Sequence, residues 1–235
     1  MSNGLAYFKE VYDEVPRWVQ KMHDYSPNVL DHYTNIRSEV MQDSALTRKE
    51  KDTLIASMNA ARLYSRSMLY HTKGAIDHGL TVPELVEYFM VAYLYKGIPA
   101  LHMSLDAISY ALELKGVSVA KGDTELKTLK AVLETIIGLL RDEDTSFLEK
   151  LLDMAKMGDS KKIEKQILMD GQVSSKQKYI NMVGNYITEL RGKDAVHWID
   201  KARLIGVTEA ELADTGYICI LTAGIPAWFE ISDSL

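Results

Sequence analysis

The sequence predicts an all-α fold, and three observations carry that expectation. Apolar residues recur at helical spacing along most of the chain. Thr-x-x-Glu caps stand ahead of two long apolar runs, at Thr81 and Thr208. The only strand-like stretch, Val117-Ser118-Val119, is too short to found a sheet.

In chain order, the apolar period predicts helices over 5–12, 17–23 and 28–41, then over 49–61 and 65–78. Gly79 follows where a helix would stop in a left-handed residue, which glycine adopts without a Cβ clash. Thr81-Val82-Pro83-Glu84 opens the next helix. The Thr81 hydroxyl can accept from the third amide while Glu84 reaches back to the cap's N–H, and Pro83 sits where its missing donor costs nothing. Gly97-Ile98-Pro99-Ala100 breaks this helix and starts another. Helical pattern resumes over 126–140, 147–157, 176–188 and 193–205. Gly206, the cap Thr208-Glu209-Ala210-Glu211 and the break Gly224-Ile225-Pro226-Ala227 close the series.

The last of these elements repeat earlier ones in register. Gly97-Ile98-Pro99-Ala100 recurs as Gly224-Ile225-Pro226-Ala227, 127 positions on. At the same offset Gly79 meets Gly206, Thr81 meets Thr208, Glu84-Leu85 meets Glu211-Leu212, and Lys49 and Lys51 meet Lys176 and Lys178. No gap is needed from Leu46/Val173 to Ile108/Leu235. This pattern predicts a tandem duplication, a first unit over 1–116 and a second over 117–235, joined near 115–122.

Composition narrows the function classes. With 47% hydrophobic and 26% charged residues the chain can bury a core, so disorder is excluded. One cysteine, Cys219, excludes a disulfide scaffold. A net charge of −6, about −2 and −4 on either side of the Val117/Ser118 bond, disfavours nucleic acid as a partner. No apolar run reaches a membrane span, and the start Met1-Ser2-Asn3-Gly4 lacks a signal peptide's regions, so a cytoplasmic location is expected.

The run Leu46-Thr47-Arg48-Lys49-Glu50-Lys51-Asp52-Thr53-Leu54-Ile55, then His71-x3-Ala75-x3-Gly79-x-Thr81-x2-Glu84-Leu85 and Gly97-Ile98-Pro99-Ala100, resembles the carboxymuconolactone decarboxylase and AhpD-like alkylhydroperoxidase superfamily. The resemblance covers 40–110 and, more weakly, 167–235. It implies a tandem AhpD-like helical repeat and a homo-oligomer, three such chains mimicking a hexamer of single units. The peroxidase branch carries Glu-x11-Cys-x2-Cys-x3-His. Counting back from His71, those positions hold Ser67, Tyr64 and Asp52; in the second copy the four are Tyr179, Arg191, Asp194 and Trp198. Thiol peroxide reduction needs a thiolate and a resolving partner, and neither copy has one. The decarboxylase branch does not depend on the cysteines. By resemblance it implies cofactor-independent decarboxylation or isomerisation of a small carboxylated lactone or keto acid.

Each candidate site residue has a plainer reading beside the functional one. His71 serves as general acid–base, or as a histidine bonded to backbone. Asp52 orients the imidazole, or is a solvated member of Lys49-Glu50-Lys51-Asp52. Ser67, one turn before His71, donates to a substrate carboxylate, or is an ordinary serine near a helix start. Tyr64 is a further donor, or fills space. His71 and His78 lie two turns apart, about 10 Å along a helix, too far to share a metal. His102 and Asp106, at i and i+4, are too few ligands to predict a metal, and no cofactor is expected. Lys96 pairs a substrate carboxylate or the last carbonyls of its helix. Cys219 reads as core. The alternative to an enzyme is a non-catalytic binding or assembly protein.

Overall fold

The structure, a computed structural model, describes residues 3–119, 127–141 and 143–235. They fall into two compact units, Met1–Ser44 and Ala45–Leu235. In the first, α1 (Asn3–Tyr12), α2 (Arg17–Tyr25) and α3 (Pro27–Val40) pack around Phe8, Val19 and Leu30. Phe8 is fully buried, with Trp18 edge-on at 5.0 Å and Tyr33 stacked at 6.2 Å between ring centroids. Gly4 lets α1 close on α3, because a Cβ there would lie 2.5 Å from Leu30 Cγ.

The second unit holds α4 (Arg48–Ala61), α5 (Ser65–Asp77), α6 (Val82–Lys96), α7 (Ile98–Leu114), α8 (Leu129–Leu139), α9 (Ser146–Met157) and α10 (Ser160–Leu168), then α11 (Ser175–Thr188), α12 (Gly192–Leu204), α13 (Glu209–Ala223) and α14 (Ile225–Ser232). The described residues are all-α, with no strand. Both predicted capping boxes form, at Thr81/Glu84 and Thr208/Glu211, and a third stands at Thr47/Glu50. Gly79, Gly97, Gly206 and Gly224 all take positive φ. The helix expected from 126 begins at Leu129 behind the Thr128 cap; Leu126, like 120–122 of the expected junction, lies outside the described residues. The sequence reading passed over α10, although Gly158 ends α9 in the left-handed region at φ 72° and Asp159 caps the new start.

The 127-residue offset recurs in three dimensions. Helices α4, α5 and α6 begin and end 127 residues before α11, α12 and α13, and α7 and α14 start at that offset. The two sets pack into each other, α4 against α11 and α13 as well as α5, α6 and α7, and α11 against α6. Their polar contacts cross reciprocally. Lys178 Nζ sits 2.6 Å from Glu87 Oε2, and Lys51 Nζ 3.4 Å from Asp214 Oδ2. The Val173 amide donates to Glu87 at 3.2 Å, and the Leu46 amide to Asp214 at 2.8 Å. Glu50 and Gln177, themselves 127 apart, bond each other at 2.7 Å. Such exchange of partners is the signature of an approximate two-fold axis. Leu85, Phe89, Met90, Met68, Leu101, Ile108, Leu133 and Leu151, from α5 to α9, belong to one buried core that Met182 of α11 joins.

A second repeated detail gives a stability prediction. Leu63 and Leu190 both sit at φ 58°, after α4 and α11, with 42% and 47% of their surface exposed. A left-handed non-glycine residue costs roughly 1–2 kcal/mol, more than glycine loses in unfolded-state entropy. Leu63→Gly is expected to stabilise the protein by about 0.5–1 kcal/mol, read from denaturant midpoints. A lower midpoint would show that the exposed leucine packs better than its surface suggests.

Candidate functional site

Helices α4 and α5 form a close pair, and the site lies between them. The capping box at Thr47 starts α4 so that Arg48 and Asp52 fall one turn apart on one face. Asp52 is buried, 1% exposed, so its solvated reading is overturned; Lys51 is buried beside it, while Lys49 and Glu50 stay half-exposed. Two helical faces of α4 therefore point inward, one to the symmetry axis and one to α5.

Asp52 is the hub. His71 Nδ1 lies 2.7 Å from Asp52 Oδ1, and Arg48 Nε lies 2.7 Å from Oδ2. His78 Nδ1 stands 4.0 Å from Oδ2 and 2.7 Å from the Gly74 carbonyl oxygen. A carbonyl only accepts, so His78 Nδ1 carries the proton. Thus His71 bonds the carboxylate, and His78, read as too far along the helix to share a metal with it, reaches only the outer edge of contact with the same group. Gly74 makes this possible, since a Cβ there would lie 2.8 Å from Asp52 Cγ.

Burial pushes the Asp52 carboxyl up, but His71 and then Arg48 outweigh it and hold it below the usual 3.8. Asp52 is therefore an anion, and His71 donates to it through Nδ1, which fixes the ring's tautomer and orientation. A carboxylate held below its unfolded value adds stability that is full above 3.8 and lost as pH falls through the folded value.

The other predicted residues stand apart from this pair. Ser67 lies one turn before His71, and its Oγ accepts from Asn59 Nδ2 at 3.0 Å. That leaves the serine proton available for donation. Tyr64 is the cap residue of α5, makes no side-chain capping bond, and is 51% exposed. Lys96 reaches Glu189 at 3.4 Å, across the seam between the two helix sets. His102 and Asp106 are both exposed, and the described residues contain no cluster of three or more His, Cys, Asp or Glu arranged to hold a metal. Cys219 is buried, its thiol pushed up by burial, with Sγ 3.7 Å from Met58 Sδ.

Arg48 and Asn59 belong to the site and were not singled out from the sequence. The i, i+4 spacing of Arg48 and Asp52 was a usable signal; nothing local marks Asn59. In the second helix set the positions of the pair hold Tyr179 and Trp198, with ring centroids 5.9 Å apart. Arg191 and Asp194, in place of Tyr64 and Ser67, form an exposed ion pair at 2.7 Å.

Residues 27–109, about a third of the chain, match the model of the Carboxymuconolactone decarboxylase family, in agreement with the resemblance read from the motifs around His71. No curated protein matches the chain. Among the described residues no helix is long and apolar enough to cross a membrane.

Proposed function

We propose that the carboxymuconolactone decarboxylase family segment of this chain carries out cofactor-independent acid–base chemistry, decarboxylation or isomerisation of a small carboxylated lactone or keto acid. The observation that supports this most is the 2.7 Å contact between His71 Nδ1 and the Asp52 carboxylate. It fixes the imidazole's tautomer and favours the imidazolium, as an orienter does for a general acid–base. In decarboxylation the bond to CO2 breaks and its electrons pass into an adjacent carbonyl as an enolate. His71 Nε2 then delivers a proton to the carbon, and Asp52 balances the charge on the ring while it is protonated. Arg48 holds the second carboxylate oxygen, so Asp52 keeps its orientation through the cycle. Ser67 and Tyr64 supply hydrogen bonds to the substrate's carboxylate or carbonyl. The second helix set, read as the degenerate copy of a tandem duplication, completes the scaffold, and three chains assemble as the counterpart of a hexamer of single units.

A second reading, a non-catalytic binding or assembly protein, is favoured by burial, since the His71 and Asp52 side chains are only 7% and 2% exposed. Thermal-shift screening of β-keto acids and carboxylated lactones separates the two. A compound that raises the wild-type Tm, leaves His71→Ala unshifted and is turned over supports the enzyme. Compounds that shift both proteins alike, with no turnover, would support the binding protein instead.

A further inference from the structure

The second helix set carries a groove at the place where the first set carries Asp52. Ser175, Tyr179 and Lys201 line it, and these stand 127 residues after Arg48, Asp52 and Gly74. The exchange of residues explains why this place is open. In the first set Arg48, Asp52 and His71 close the space with two charged contacts of 2.7 Å, over a glycine that admits no Cβ. In the second the arginine has become a serine, the carboxylate a tyrosine, and the glycine a lysine. The result is an open cavity of about 550 Å³, within the range of small-molecule sites.

Its walls are chemically uneven. Lys161 and Lys165 reach it from α10 and Lys201 from α12, and none of the three has a carboxylate oxygen within 4.0 Å among the described residues. Lys201 lies over the Trp198 ring, 4.8 Å from its centroid. Two acidic residues, Glu164 and Asp170, also line the groove, so the three lysines outnumber them by one; Asp170 accepts from the Ser175 amide at 2.6 Å. Leu168, Met169 and Tyr179 supply an apolar side, with Trp198 behind Tyr179. Three lysines lining one groove are notable in a chain of net charge −6, because elsewhere most lysines face carboxylates, as at Lys49, Lys51, Lys73, Lys176 and Lys178.

We propose that this groove is a second ligand site, taking a small organic polyanion: two or more carboxylate or phosphate groups on an aromatic or apolar body. The ammonium groups of Lys161, Lys165 and Lys201 hold the anionic groups, and Leu168 and Tyr179 take the body. The site is independent of the His71 reading, since no residue is shared.

The test uses the full chain with two probes, benzene-1,3,5-tricarboxylate and inorganic pyrophosphate, by calorimetry. The tricarboxylate is expected to bind, to weaken with added salt, and to lose at least about tenfold in affinity in Lys165→Gln/Lys201→Gln, each lysine removing one charge-assisted contact. Unchanged circular dichroism and Tm in that variant establish that the fold is intact. His71→Ala is expected to bind the tricarboxylate as the wild type does. No binding of either probe up to about 10 mM, far above the level a charged pocket needs, would overturn the site. Equal affinity in the double variant would do the same. Pyrophosphate binding as tightly as the tricarboxylate would overturn the ligand class, because the apolar wall would then contribute nothing.

Discussion

Replacing Lys178 by methionine is expected to destabilise the protein by about 3–5 kcal/mol, the cost of leaving one member of a buried pair uncompensated. Lys178 is fully buried and Glu87 2% exposed, and their charged atoms are 2.6 Å apart. Lys178 Nζ also donates to the Met169 carbonyl at 2.7 Å and lies 5.0 Å from the centre of the Phe147 ring. Burial pushes the Lys178 ammonium below its ordinary range, and Glu87 is what opposes that. Methionine fills the space without a charge. Glu87 is then left with the amides of Gln172 and Val173, at 2.9 and 3.2 Å, as neutral partners. Removing both charges with Lys178→Met/Glu87→Gln should recover part of the loss, because no uncompensated charge is left, although the single amide oxygen of glutamine replaces the two that accept from Gln172 and Val173. Lys51→Met should cost less, since that pair is 3.4 Å long and Asp214 is 8% exposed. Equilibrium unfolding in urea measures all three. A loss under about 1 kcal/mol for Lys178→Met would mean that water reaches Glu87.

Turnover of the true substrate is expected to fall by ~10²-fold or more in His71→Ala, the usual contribution of a positioned general acid–base. The effect should appear in kcat, since His71 acts on the proton in flight rather than on the resting substrate. Asp52→Asn tests the partner separately. The amide keeps the shape but removes the charge that favours the imidazolium, and it presents Arg48 with a neutral oxygen in place of the 2.7 Å ion pair. Activity should therefore fall in this variant too, while the fold survives, because the histidine still has a hydrogen-bonding neighbour. Wild-type kcat in His71→Ala would remove the acid–base proposal. It would leave the buried Asp52 cluster as a structural fastening between α4 and α5.

Much of the fold was legible because its boundaries are set locally. Thr81 and Glu84 fix the start of α6 within four residues of sequence, and Gly97 ends it by the φ it alone adopts easily. The helix α10 was equally local, announced by Gly158 and Asp159, and went unread because its apolar residues Ile163 and Ile167 make too short a period. The site was only half legible. His71 and Asp52 could be paired through the motif, and the structure puts them in contact. Burial of Lys51 and Asp52 could not be read, because four charged residues in succession, Lys49 to Asp52, suggest a solvated face. What takes Lys51 and Asp52 inside is tertiary: a carboxylate from α13 for one, and an imidazole from α5 for the other. Asn59 likewise has meaning only once Ser67 is brought to it, eight residues on.

The reciprocal seam gives the two halves different freedoms. Lys51 and Lys178 are both lysine, and the residues they face, Asp214 and Glu87, are both acids. One position further along each helix, Asp52 faces Tyr179 in the comparison of the halves, with no chemistry in common. Adjacent residues on one helix thus answer to separate demands, the first to the seam between the helix sets and the second to the neighbouring helix, α5 for Asp52 and α12 for Tyr179. A change at the second position leaves the seam's ion pairs in place, because Lys51 and Lys178 make them and Asp52 and Tyr179 do not.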